Sequence, residues 1–334
     1  MSIAPAGRVA ALPGTTTLSE VGEFALVEAL TADAPVAADV LLGIGDDAAV
    51  LAVDGPVVTS VDVLVQDVHF KLGWSEPGDI GRKAVAVNVA DLEAMGARAT
   101  GIVLGFSAPP HLQLRWVREF AAGVAQECRA AGVSLLGGDT TRSRDITLSV
   151  TVLGGLDGRQ PVRRSGARAG DVVALCGRTG WAAAGLAVLA RGFRSPRAVV
   201  DAQRVPQVPY GAGAVAAAAG ATAMLDVSDG LVGDLGHVAR ASGVVLDLRR
   251  DAFEVPDPLQ AVAAATGADP YALLLTGGED HALAATFPTA GAVPEGWRVV
   301  GQARAAAAGE PAGVLVDGSP WDSAGGWDHF GGGR

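Results

Sequence analysis

The sequence predicts an α/β (α+β layered) protein built as two successive domains. Three observations carry that reading. The chain has 334 residues, enough for two cores of ordinary size, and 49% of them are apolar. Short runs of β-branched residues alternate with segments of helical period along its whole length. Six short segments, spread over more than half of the chain, each pair a carboxylate with glycine or a small hydroxyl residue.

Taken in order, residues 1–16 read as a flexible lead. Thr17-Leu18-Ser19-Glu20 has the spacing of a capping box and opens a helix with Phe24, Val27 and Leu30 facing inward. A turn at Gly43–Asp47 precedes strands near 48–53 and 57–65, where valine concentrates. Asp79 to Met95 reads as a helix whose Ile80, Ala84, Val87 and Leu92 form the apolar side. Asn88 and Asp91, three apart, share another face, and Gly96 closes the helix. A strand near 101–106, a helix over 111–131, a buried strand over 133–136 and a strand over 146–153 complete the first domain, 17–156. Glycine and arginine dominate 154–170, which marks the boundary.

The second domain, 157–330, repeats the style. Strand 172–176 leads to helices 181–191 and 210–219, then strand 222–227, helix 231–241 and strand 244–248. Strands near 281–287 and 298–300 finish it.

The net charge of −11 argues against a nucleic-acid partner, which would need a basic face. The longest alanine-rich stretch, 211–225, is too short and too broken by glycine to span a bilayer. Cys128 and Cys176 lie far apart without a zinc-ligand spacing. With no export-type apolar core near Arg8, the expectation is a cytoplasmic protein without a membrane partner.

The chemistry sits in Gly43-Ile44-Gly45-Asp46-Asp47, Ser60-Val61-Asp62, Asn88-Val89-Ala90-Asp91, Gly137-Gly138-Asp139-Thr140-Thr141, Asp226-Val227-Ser228-Asp229-Gly230 and Gly277-Gly278-Glu279-Asp280. Hard oxygen donors suit Mg²⁺, and glycine lets backbone N–H groups approach phosphate. Taken singly, several of these are also ordinary structure. Two acids after glycine make a solvated turn, Ser228 or Asp229 could cap a helix, and a lone His69 is more often structural. Trp327, Asp328, His329 and Phe330 could be a docking tail. P-loop, protein-kinase, GxSxG and HExxH signatures are absent, and neither a covalent nucleophile nor a general base stands out.

Together and in order, GIGDDAAV, VNVADLEAMGA, GGDTTR, DVSDGL and GGED resemble the thiamine-monophosphate kinases over nearly the whole chain. These belong to the aminoimidazole ribonucleotide synthetase-like superfamily. The resemblance implies that superfamily's two-domain fold, with N-terminal domains pairing strands across a homodimer. It implies transfer of the ATP γ-phosphoryl group to thiamine monophosphate, assisted by several Mg²⁺ ions. Carried over by position, Asp47, Asp62, Asp91, Asp139, Asp226 and Asp229 match metal ligands, with Ser60 assisting. Gly138, Asp139, Arg164 and Ser228 match nucleotide contacts, and His69, Glu279 and Trp327 match substrate contacts. Two positions depart from the family pattern. Val61 replaces a threonine hydroxyl, and Asp67 replaces a glycine in a turn where aspartate tolerates left-handed backbone. An acceptor other than thiamine monophosphate, as in aminoimidazole ribonucleotide or selenophosphate synthetases, is the neighbouring alternative. A non-catalytic nucleotide-binding homologue is the distant one.

Overall fold

A computed structural model describes residues 12–45 and 48–321, with Phe24 described by its backbone alone. The chain forms two compact units. The described residues up to Leu92, with Arg98–Gly158, make the first; Glu93–Ala97 and the described residues from Arg159 make the second.

The first unit opens with α1 (Leu18–Val21) and α2 (Glu23–Thr31). The Thr17–Glu20 capping box forms, Thr17 N–H donating to the Glu20 carboxylate at 2.7 Å. The single helix expected there is broken, because Gly22 takes φ +77° and leaves the helical region for one residue. A small antiparallel pair follows, β1 (Val40–Leu42) and β2 (Val50–Leu51), so the strand expected over 48–53 is shorter than its apolar run. Then come β3 (Val57–Val65), α3 (Pro77–Ala94), β4 (Arg98–Ala108), α4 (Leu114–Ala131), β5 (Ser134–Arg142) and β6 (Thr147–Gly155). The sheet order is β3-β6-β4-β5. Only β4 and β5 run parallel, and α4 is the crossover that a parallel pair requires. Ile102, Leu104, Phe106, Leu148, Val150 and Val152 bury one face of this sheet. The helices α3 and α4 meet through glycines: a Cβ on Gly81 would lie 2.2 Å from the Phe120 carbonyl, and one on Gly123 2.1 Å from that of Gly78.

One segment differs in kind from its sequence reading. Gly137–Thr141 was expected just beyond a strand, yet it lies inside β5, which continues to Arg142. The parallel register to β4 holds it there, and a Cβ on Gly138 would meet the Leu104 carbonyl at 1.9 Å. Glycine at that position permits the close strand pairing.

The second unit comprises β7 (Val172–Cys176), α5 (Trp181–Ala190), α6 (Arg197–Arg204), α7 (Ala212–Ala218), β8 (Ala223–Val227), α8 (Leu231–Ser242) and β9 (Val244–Leu248). It continues with α9 (Asp257–Thr266), α10 (Pro270–Thr276), β10 (Ala282–Phe287), β11 (Trp297–Ala305), β12 (Gly313–Val316) and β13 (Ser319–Pro320). The helices α6, α9 and α10 and the β12–β13 hairpin were not foreseen. Two carried signals: proline stands in the first turn of α9 and α10, and the Asp269 side chain caps α10 by accepting from Tyr271 N–H.

The seven strands follow the order β13-β12-β9-β11-β7-β10-β8. Every residue of β8 and β10 is buried, which is why both read as mainly apolar runs, interrupted by Asp226 and Thr286, rather than alternating ones. Cys176, Leu283 and Asp226 form one row across β7, β10 and β8. The segments Gly177–Gly180, Ser228–Gly230 and Glu279–His281 therefore emerge at one end of the sheet. No helix among the described residues is long and apolar enough to cross a membrane.

Candidate active site

In the first unit, period-two alternation of β3 sends Ser60, Asp62 and Leu64 to one face and Val57, Val61 and Val63 to the other. Two contacts tie the first set to α3. Ser60 Oγ donates to Asp91 Oδ2 at 2.6 Å, and Asp62 N–H donates to Asn88 Oδ1 at 2.9 Å. Asn88 is fully buried and its amide donates back to the Ala84 carbonyl, so it is a fixed strut between helix and strand. The shared helical face of Asn88 and Asp91 thus does what its spacing suggested: Ser60, Asp62 and Asp91 are brought together.

Asp139 is not brought to them. The register Asp62–Val150–Leu104–Gly138 runs across all four strands, which puts Gly138 three strand spacings, roughly 14 Å, from Asp62. Asp139, one residue further, shares its row with Gly105, Ser149 and Val63 on the opposite face, and it is exposed. One ion cannot join Asp139 to Asp62 within this sheet.

His69 is pinned in a tight turn. Its Nδ1 accepts from Val65 N–H at 3.0 Å, and its carbonyl accepts from the buried Lys83 ammonium at 3.1 Å. Asp67 takes φ +65°, so the turn survives without glycine.

In the second unit, two segments are sewn together. Glu279 N–H donates to the Ser228 carbonyl at 2.7 Å and His281 N–H to that of Val227 at 2.9 Å. The contact needs glycine: a Cβ on Gly278 would lie 2.5 Å from the Ser228 carbonyl, and Gly230 sits at φ +121° against Thr276. Ser228, Asp229 and Glu279 are therefore neighbours. The expected cap of α8 by Ser228 or Asp229 does not form. Asp234, inside the helix, reaches back and accepts the N–H groups of Asp229 and Gly230, both at 3.0 Å. Arg164 lies against the C-terminal end of α8, where its carbonyl accepts from the Ser242 hydroxyl at 3.0 Å. Asp47 and Trp327 lie outside the described residues.

Sequence reading missed Asp234 and His281, and it named Asp280 within the Gly277–Asp280 segment without a role of its own. Asp280 and His281 directly follow Glu279, and Asp234 stands four residues after Gly230, the distance of one helical turn. Burial pushes the Asp234 carboxyl up to about 7, and repulsion from Asp226 and Asp229 adds to it. A divalent cation fits this setting: the donors are hard oxygens and their charges crowd one another. Among the described residues no three His, Cys, Asp or Glu side chains converge to hold an ion unaided. Oxygens from a bound phosphate suit the remaining positions, as Mg²⁺ ordinarily takes them.

Asp280 is buried at the start of α5, its Oδ1 accepting from Ala182 N–H at 3.0 Å, and its carboxyl is pushed up to about 7 chiefly by burial. A raised carboxyl gives its full stability below the unfolded value near 4 and loses it as pH climbs through 7. Displacement from 3.8 to about 7 corresponds to at most roughly 4 kcal/mol. Asp280→Asn keeps the acceptor and removes the titration. Calorimetry should show its Tm falling less than that of the parent between pH 5 and pH 8; parallel curves would refute the assignment.

Two sheets with helical layers and carboxylate–glycine turns define a class of protein, the AIR synthase related proteins. Residues 45–156 match the N-terminal domain model of that group and residues 168–310 its C-terminal domain model. The chain is 49% identical over 317 residues to the thiamine-monophosphate kinase of Mycobacterium tuberculosis H37Rv, covering 94% of this chain and 93% of that one. Among solved structures it is similar to the thiamine-monophosphate kinase of Stenotrophomonas maltophilia K279a, with 31% identity, TM-score 0.77 and coverage of 89% and 97% of the two chains. It is also similar to AaThiL complexed with AMPPCP and TMP, with 27% identity, TM-score 0.75 and coverage of 95% and 99%. Within that class, the chain belongs to the thiamine-monophosphate kinase family.

Proposed function

We propose that this chain transfers the γ-phosphoryl group of ATP to the phosphate of thiamine monophosphate, giving thiamine diphosphate and ADP. The observation that carries the reading is the 49% identity to a thiamine-monophosphate kinase along almost the full length of both chains. The acceptor phosphate is already ionised at neutral pH, so it attacks without a general base, and direct in-line transfer needs no phosphoenzyme. Bound Mg²⁺ supplies charge neutralisation between two anions whose approach is otherwise opposed by Coulomb repulsion.

In this reading Asp47, Asp62, Asp91, Asp139, Asp226 and Asp229 hold the ions. Ser60 orients Asp91 through the hydrogen bond described above. The backbone at Gly138 and Asp139, with Arg164 and Ser228, receives the nucleotide. His69, Glu279 and Trp327 face thiamine monophosphate, whose thiazolium is a fixed cation that a carboxylate or an aromatic face can hold. Turnover with thiamine monophosphate, aminoimidazole ribonucleotide precursors and selenide, each with ATP, tests the proposal. Thiamine diphosphate should be the sole efficient product, and preference for another acceptor would overturn it.

The working unit in this proposal is a cytoplasmic homodimer. Its support is the open face of the four-stranded sheet, where Val57, Val61 and Val63 stand exposed in an alternating stripe. Asp139 lies on that same face, so a second copy laid there would stand beside a nucleotide contact. Replacing Val57 and Val63 together by lysine should give the protomer mass in sedimentation equilibrium; an unchanged dimer would place the interface elsewhere.

A further inference from the structure

No step above uses His281, yet its placement is unusually constrained. It is 8% exposed, its backbone stands at φ +51°, and its N–H is bonded to the Val227 carbonyl. A histidine in the left-handed region is uncommon, and such conformations persist where the surroundings over-determine them. The ring lies against Asp226, itself 6% exposed, with Nδ1 3.1 Å from Oδ2. A carboxylate can only accept, so the proton of this bond sits on Nδ1.

We propose that His281 is a positioning residue for Asp226. Its Nδ1–H holds Oδ2 and so fixes the rotation of the carboxylate, which leaves Oδ1 to the cation and phosphate side. The inference rests on the reading of Asp226 as a metal ligand. The β8–β10 register makes the arrangement rigid, since Ala282 pairs with Val227 and Leu283 with Asp226. Partners that orient a ligand in this way ordinarily govern metal affinity by about 10- to 100-fold.

Binding of Mn²⁺ in the presence of AMPPCP, followed by electron paramagnetic resonance, tests this apart from turnover. His281→Ala, which loses the donor, should weaken Mn²⁺ about 10-fold. His281→Asn keeps an N–H near the Nδ1 position and tolerates positive φ, so it should stay within about 3-fold of the parent. Asp226→Asn should weaken Mn²⁺ as well, and adding His281→Ala to it should cost nothing more. Normal Mn²⁺ binding by Asp226→Asn would overturn the ligand reading. Weak binding by Asp226→Asn with normal binding by His281→Ala would overturn the positioning role alone. Equal weakening by His281→Ala and His281→Asn would likewise overturn it, since the donor would then be irrelevant. Should His281→Ala not fold, His281→Gly removes the donor while relieving the backbone, and the same comparisons decide.

Discussion

Removal of divalent metal should abolish turnover, by about 10³-fold or more, and added Mg²⁺ should restore it. In the proposed reaction two anions meet beside the aspartates assigned to the site, whose charge works against that approach. Asp226 and Asp229 already repel the neighbouring Asp234 strongly enough to help raise its pKa. Two unit charges 4 Å apart interact by about 4 kcal/mol at an effective dielectric of 20, so bringing phosphates into such a place without a cation costs several powers of ten in rate. The measurement is ADP formation after exhaustive chelation and dialysis, then during Mg²⁺ addition. Full turnover of the chelated protein would falsify the metal reading of all the aspartates at once.

Asp91→Asn should lower kcat about 100-fold with little change in melting temperature. The substitution keeps an oxygen that can accept the Ser60 hydroxyl, and Asn88 still ties α3 to β3 through Asp62 N–H. What disappears is one negative charge beside Asp62. A structural role for Asp91 predicts the reverse, a lower melting temperature with kcat unchanged. Asp139→Asn should lower kcat by a similar factor although it sits at the far edge of the sheet. If its effect were additive with that of Asp91→Asn, the two would serve separate ions, as the three strand spacings, roughly 14 Å, between β3, against which Asp91 packs, and β5 suggest.

Much of this protein was legible before folding. The Thr17–Glu20 capping box, the helix carrying Asn88 and Asp91, the glycine stop at Gly96 and the buried strands of the second unit all follow from local rules. Period-two alternation in Val57–Val65 already separated Ser60 and Asp62 from the valines. The short helices α9 and α10 escaped because their apolar faces are brief, though proline and Asp269 marked their starts.

By itself, the sequence determined the fold class, the family and the inventory of carboxylates, because propensity, period and motif order are properties of neighbouring residues. Which carboxylates meet was decided only by tertiary structure. Packing of α3 on β3 brought Asp91 to Ser60 and Asn88 to Asp62, and strand register carried Asp139 to the other face and the opposite edge. Backbone pairing between β8 and β10 set His281 on Asp226, 55 residues away in the chain. Asp234 could replace the expected caps of α8 because a buried helix start accepts whichever oxygen reaches its N–H groups. These outcomes depend on pairing over long separations, and no local pattern encodes the register of one strand against another.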